Sequence, residues 1–149
     1  MARSTNPRKF LSEAETTAVG AAIQDAEQKT SAEVKVVLAR HCWGHIKTKA
    51  RRIFGELGLD RTEQRNCVLL LLIVSNREFL IYGDQGIHEN VGQGFWDDVG
   101  RQMIEAFRQD QFADGICQGV RRVGEKLAQY FPHRRDDVDE ISNQIVYRR

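Results

Sequence analysis

The chain has no apolar stretch long enough to cross a bilayer. Its longest, Cys67 to Val74, is eight residues, against roughly 20 for a membrane helix. Nor does the opening Met-Ala-Arg-Ser-Thr-Asn-Pro-Arg-Lys lead into an apolar core, so no secretory signal is expected. Cysteines number three. An odd set lying within strand and helix patterns argues against a secreted disulfide framework and for the cytosol. An excess of one charge is missing as well, with 22 Lys and Arg against 21 Asp and Glu. No overall field then draws nucleic acid or an anionic membrane, and neither is expected as a partner. Basic residues do gather near the two ends, at Arg3, Arg8 and Lys9 and again at Arg134, Arg135, Arg148 and Arg149. Without interleaved aromatics these read as solvated tails. There is no internal repeat, no low-complexity linker and no Ser-centred nucleophile elbow, and His88 and His133 have no nucleophile beside them. Gly83, Gly86, Gly92 and Gly94 lack the spacing of a dinucleotide fingerprint.

What is present suits one α/β domain: 149 residues, 41% hydrophobic and 29% charged, enough to bury a core without staples. Val68 to Val74 carries no polar interruption, the pattern of a central strand covered on both faces. Ser75-Asn76 then offers a two-residue hairpin turn, since Asn tolerates positive φ, and Glu78 to Tyr82 returns antiparallel. Upstream, Ser12 and Glu15 form a capping box opening a helix from about Glu13 to Lys29. Glu33 to Ala39 reads as a strand alternating Val34, Val36 and Leu38 against Lys35 and Val37. Ala50, Ile53, Phe54 and Leu57 mark a helix stopped by Gly58. Strand, helix, strand implies parallel pairing of the first two strands.

Beyond a polar loop after Ile87, Trp96, Val99, Met103 and Phe107 mark a third helix. A fourth, through Phe112, Ile116, Val120, Val123 and Leu127, is ended by Pro132. Gly115 and Gly119 inside it imply close approach to a neighbour. The expected architecture is an α/β/α sandwich: a mixed sheet of three to four strands flanked by about four helices. Residues 1–9 are expected as a flexible arm, 10–132 as the domain, and 133–149 as a tail with a short edge strand near Gln144 to Tyr147.

Arg65-Asn66 before the apolar strand, Arg77 opening the next, and Gly83-Asp84-Gln85-Gly86-Ile87 closing it form an ordered set. With Phe107-Arg108, Gln111-Phe112-Ala113 and Gly115, they resemble the TPM-domain family. Its members include thylakoid proteins of photosystem II repair and an acetylcholine-receptor modulator. The tail, with Phe131-Pro132 and Asp136-Asp137, is similar to the family's stand-alone soluble bacterial branch. The resemblance implies an α/β/α sandwich, divalent-cation binding (calcium above all) in some members, and acid phosphatase activity in a plant branch. For the bacterial branch it implies no settled activity.

The topology sorts the loops into two rims. His41 to His45 shares one with Ser75, Asn76 and Arg77; Glu33, Arg65, Asn66 and Asp84 to Glu89 share the other. Ligands of open sheets favour the carboxyl ends of parallel strands, which is the first rim. There the chain departs from the family: His45 and Asn76 stand where relatives often carry acids. A third departure, Cys67 for the usual Gly, reads as structural. Calcium wants several hard oxygen ligands, so a site including Asn76 and His45 is expected to be weak. His41, Cys42 and His45 are also soft-metal donors, but three within five residues miss structural zinc spacing, and an ordinary loop is the stronger reading. On the second rim Asp84 and Glu89 keep oxygen, with Asp97 and Asp98 nearby; a turn in which Asp84 bonds its own backbone competes with a cation loop. The expected role is therefore a binding module for a protein partner, with a divalent cation as a further ligand. The rival is a metal-assisted acid phosphatase acting on phosphomonoesters.

Overall fold

The computed structural model describes residues 3–133 and 144–149; Arg134, Arg135 and the acidic run 136–140 lie outside them. In chain order the elements are α1 (Pro7–Phe10), α2 (Glu13–Lys29), β1 (Glu33–Ala39), α3 (Ile46–Glu56), β2 (Cys67–Ile73), β3 (Glu78–Gly83), α4 (Gln85–Asn90), α5 (Gln93–Arg108), α6 (Phe112–Leu127) and β4 (Val146–Arg148). A single 3-10 turn, Leu59–Arg61, lies between α3 and β2. The strands form one mixed sheet in the order β3-β2-β1-β4. β1 runs parallel to both β2 and β4, and β3 returns antiparallel along β2.

The sheet is covered on both faces, as the uninterrupted apolar run requires. Val34, Val36, Leu38, Val68, Leu70 and Leu72 pack under α2, α5 and α6, while Val37, Ala39, Leu69, Leu71 and Ile73 pack under α3. β1 is not half-exposed as its alternation suggests. All seven of its residues are buried, Lys35 included, because it is flanked by strands on both edges. Burial pulls the Lys35 ammonium below its ordinary range, opposed most by Glu27.

The capping box of α2 forms as read, with Ser12 and Glu15 exchanging bonds. Gly115 and Gly119 do mark close approach: a Cβ at the first would lie 2.9 Å from Phe107, and at the second 2.6 Å from the Met103 sulfur. Both contacts are to α5.

Three expectations are corrected. The β2–β3 connection is four residues, 74–77, since Ile73 pairs with Glu78. Val74 and Ser75 donate their N–H groups to Ala39 and Arg40 carbonyls, so β2 follows the exit of β1 before turning. The left-handed residue is then Arg77, at φ 58°, not Asn76. α6 stops at Leu127, before Pro132, whose backbone instead bridges to Thr30. Among the described residues two short helices, α1 and α4, join the four longer ones that were expected, in place of an arm and a loop.

Residues 3–10 pack against the domain. Asn6 caps α1, and Phe10 is buried edge-on against Phe112, 4.9 Å between centroids. Arg3 donates to both carboxylate oxygens of Glu15, at 2.8 and 2.9 Å, and to Asp110 at 3.2 Å. Its guanidinium also lies 5.3 Å from the centre of the Phe112 ring.

These bonds from Arg3, chiefly, hold the Glu15 carboxyl down at about 2, from an ordinary 4.5. A folded value below the unfolded one stabilises fully above the unfolded value and fades as pH falls toward the folded one. The window therefore runs from about pH 4.5 down to about 2. Arg3→Ala is expected to lower the melting temperature at neutral pH and to flatten its fall across that window. Melts by circular dichroism at stepped pH check this; an unchanged slope would separate Glu15 from Arg3.

Candidate functional site

The carboxyl ends of the parallel strands β1, β2 and β4 all lie on the first rim, and three features meet there. The loop after β1 is short and fixed at both ends. Arg40 donates its N–H to the Arg148 carbonyl, and the His45 carbonyl accepts from Thr48 and Lys49 at the start of α3. Between them Gly44 turns through φ 96°. The loop holds Trp43 outward, 87% exposed, with the half-buried His41 ring tilted against it at 5.1 Å. Cys42 makes a weak 3.6 Å contact to the Gly44 carbonyl. His45 occupies the N-cap position of α3 without a side-chain cap bond.

Asn76 and Arg77 share this rim but serve the opposite face of the sheet. Asn76 donates to Glu78 at 2.9 Å. Arg77 lies 5.1 Å from the centre of the Phe112 ring and 3.7 Å from Asp110. Arg3 and Arg77 thus converge on Asp110, itself left-handed at φ 60°, and lock the α5–α6 turn to the hairpin. His45, by contrast, opens α3, which covers the other face.

Beside the loop, between α1, α3 and β4, lies an open groove of about 1070 Å³. Its charged lining is Arg8, Arg40, Lys49, Arg52, Arg148 and Arg149, with Glu56 the one carboxylate among the lining side chains. The Lys49 ammonium donates to the His41 carbonyl at 2.6 Å and the Arg149 carbonyl at 2.7 Å, and partial burial lowers its pKa from the ordinary value. Reading the sequence missed this groove. Its signal lay in the basic residues near the two ends, of which Arg8, Arg148 and Arg149 line it.

The second rim is a structural junction. Arg65, left-handed at φ 52°, donates twice to Asp84, at 2.7 and 2.8 Å. Asp84 is 6% exposed and caps α4 by accepting from the Gln85 N–H at 2.8 Å. Gly86 donates its N–H to the Arg65 carbonyl, and Asp84 donates its own to Cys67. A Cβ at Gly86 would sit 2.4 Å from the Gln64 carbonyl oxygen, so the close approach requires glycine. Asn66 is buried, its carbonyl accepting from the Glu33 N–H.

Glu89 is exposed and accepts from Gln85. Asp97 accepts from Gln93, and Asp98 pairs with Arg101. The four predicted cation donors are therefore split, Asp84 and Glu89 on one rim, Asn76 and His45 on the other. Among the described residues no three His, Cys, Asp or Glu side chains are grouped to hold a metal.

Comparison with known proteins follows the same outline. The family model described as "TPM domain" matches residues 4–126. The chain is similar to the BA42 protein of the psychrophilic bacterium Bizionia argentinensis, at 35% identity and a TM-score of 0.90, covering 97% of this chain and 99% of that one. The fold alone is shared with the N-terminal domain of a P. gingivalis protein: 19% identity, TM-score 0.67, 83% of this chain and 82% of that. The same holds for the N-terminal domain of the cg2496 protein of Corynebacterium glutamicum: 16% identity, TM-score 0.62, 91% of this chain and 80% of that. No curated protein matches. No helix among the described residues is long and apolar enough to cross a membrane.

Two measurements probe this geometry. Cys67 is fully buried and Cys117 is 7% exposed, and burial pushes both thiols up. Cys42 is half-buried in the loop. A thiol reagent is expected to modify Cys42 first in the folded protein; faster modification of Cys67 would contradict the packing. Asp84→Ala removes the α4 cap, a loss of about 1 kcal/mol, which at roughly 2–4 °C per kcal/mol lowers the melt by a few degrees. Gly86→Ala must displace backbone, and a larger drop is expected.

Proposed function

This chain belongs to the TPM domain family, and from that premise we propose that it is a binding module whose first rim receives a protein partner. The observation that carries the reading is Trp43. An indole 87% exposed on a loop pinned at both ends is the amphipathic, low-entropy anchor that protein interfaces favour. Nothing in the packing of the core requires it there. The three free thiols fit a reducing compartment, and we place the protein in the cytosol.

A divalent cation is at most a weak further ligand. Asp84 is held by Arg65, and Asn76 and His45 supply no carboxylate to the first rim. The rival reading, metal-assisted hydrolysis of phosphomonoesters, needs acids converging on an open site. On the second rim Asp84 is held by Arg65 and caps α4, and Glu89 accepts from Gln85.

The partner reading is tested by photo-crosslinking in cells, with p-benzoylphenylalanine in place of Trp43 and, as control, in place of the exposed Gln129. A discrete protein adduct from position 43 alone supports it; adducts no stronger than the control would sink it. For the cation, a ligand at a hundred times its dissociation constant adds about 2.7 kcal/mol, or a melting rise of something like 5–11 °C for a chain of this size. Calcium at about 10 mM should saturate a site of about 0.1 mM affinity, and a much smaller rise is expected here. Turnover of p-nitrophenyl phosphate with added calcium, magnesium or manganese is expected to be negligible; turnover abolished by Asp84→Asn would favour the phosphatase.

A further inference from the structure

We propose that the cationic groove between α1, α3 and β4 is the docking site for an acidic peptide segment of the protein partner. The inference rests on the partner reading above and gives that partner a chemistry. The chain as a whole is nearly neutral, 22 basic against 21 acidic residues, yet among the described residues the groove is lined by six Lys and Arg side chains and one acidic side chain, Glu56. Gathering like charges around one concavity opposes folding by mutual repulsion, and a bound polyanion relieves it.

The backbone sets the cations in place. Ala39 pairs with Arg148, and the Arg40 N–H donates to the Arg148 carbonyl at 3.1 Å, so Arg40 and Arg148 emerge side by side from adjacent strand ends. Among the described residues neither guanidinium, nor that of Arg149, forms an ion pair. Arg52 has only a 3.8 Å pairing with Glu56, both largely exposed, a contact worth little. Arg8 is steadied over the Tyr147 ring at 5.0 Å. Two of the three N–H donors of Lys49 go to carbonyls, which anchors the ammonium and leaves one donor.

Guanidinium forks match carboxylates in two-bond geometry. A groove of about 1070 Å³ lined by six cationic side chains suits several carboxylates better than one small anion. The carboxyl end of a parallel sheet is also where open α/β folds take ligands. Nucleic acid fits less well: it calls for a basic field across the domain and a series of stacking aromatics, and the first rim exposes Trp43 alone among large hydrophobics there. A bilayer is flat, whereas this surface is concave.

The test is fluorescence anisotropy with a labelled oligoglutamate peptide. The parallel arms are oligothymidylate of matched charge, inorganic phosphate and phosphatidylserine vesicles. Saturable peptide binding is expected at low salt, weakening as salt screens the groove. Arg40→Glu with Arg52→Glu should weaken it at least tenfold while the melting temperature stays near that of the parent. Arg148→Glu is a second variant, and amide NMR shifts on peptide addition should centre on Arg40, Lys49 and Arg148.

Absence of saturable binding would overturn the proposal. So would charge reversal without effect, or tighter binding of the oligonucleotide, phosphate or vesicles than of the peptide. Crosslinking at position 43 is read separately: an adduct there with no peptide binding leaves the partner reading standing and removes the groove from it. Peptide binding without an adduct does the reverse.

Discussion

The parallel ladder between β1 and β2 is the constraint on which the rest of the molecule depends. Both strands are buried on both faces, so neither tolerates solvent and each face must be roofed. α2, α5 and α6 roof one side and α3 the other. Parallel pairing also forbids a tight turn between the two strands, which is why α3 exists as a crossover. The same rule puts the exits of β1, β2 and β4 on one rim. The loops that join the strands therefore lie at one end of the sheet or the other.

The two ends are used differently. At the second rim the polar groups are turned inward. Arg65, Asp84 and Gly86 close the end of the sheet where a buried carboxylate would otherwise lack a partner, and α4 is built on that carboxylate as its cap. The cost of an unpaired buried polar group explains why so many donors and acceptors are matched here. At the first rim the polar groups face outward. Trp43 is exposed, and the guanidinium groups of Arg40, Arg148 and Arg149 are left without acids among the described residues. An end whose buried carboxylate is already held by Arg65 is a poor place for a ligand, and one with guanidinium groups facing outward is a better one.

Close packing of α5 on α6 depends on the same economy of side chains. Gly115 and Gly119 let Phe107 and Met103 enter the space a Cβ would fill, and Phe107 stacks on Phe112 at 4.9 Å. Phe112 in turn receives Phe10 and lies near Arg3 and Arg77. One aromatic cluster therefore joins the N-terminal segment, the hairpin and the α5–α6 turn, and it carries Arg77 away from the histidine loop that shares its rim.

By itself the sequence determined the parts governed by local or periodic chemistry. The capping box of α2, the two-sided burial of β2, the glycine-permitted approach of α5 and α6 and the sorting of loops into rims all follow from residue spacing. Each depends on neighbours a few residues apart or on one apolar pattern, and so it is legible along the chain. Only the tertiary structure decided the rest. Asp84 was readable as a cation ligand or a turn; it accepts from the adjacent Gln85 N–H as a helix cap, and only the fold brings Arg65, nineteen residues away, onto its carboxylate. Asn76 looked like the turn residue until β1 held the end of β2 and moved the left-handed position to Arg77. Arg8 and Arg148 looked like solvated tails, and they line one groove because β4 pairs beside β1 and α1 packs next to it. Charge is a sum over distance in space, and distance in space between the two ends of a chain is not written in its spacing.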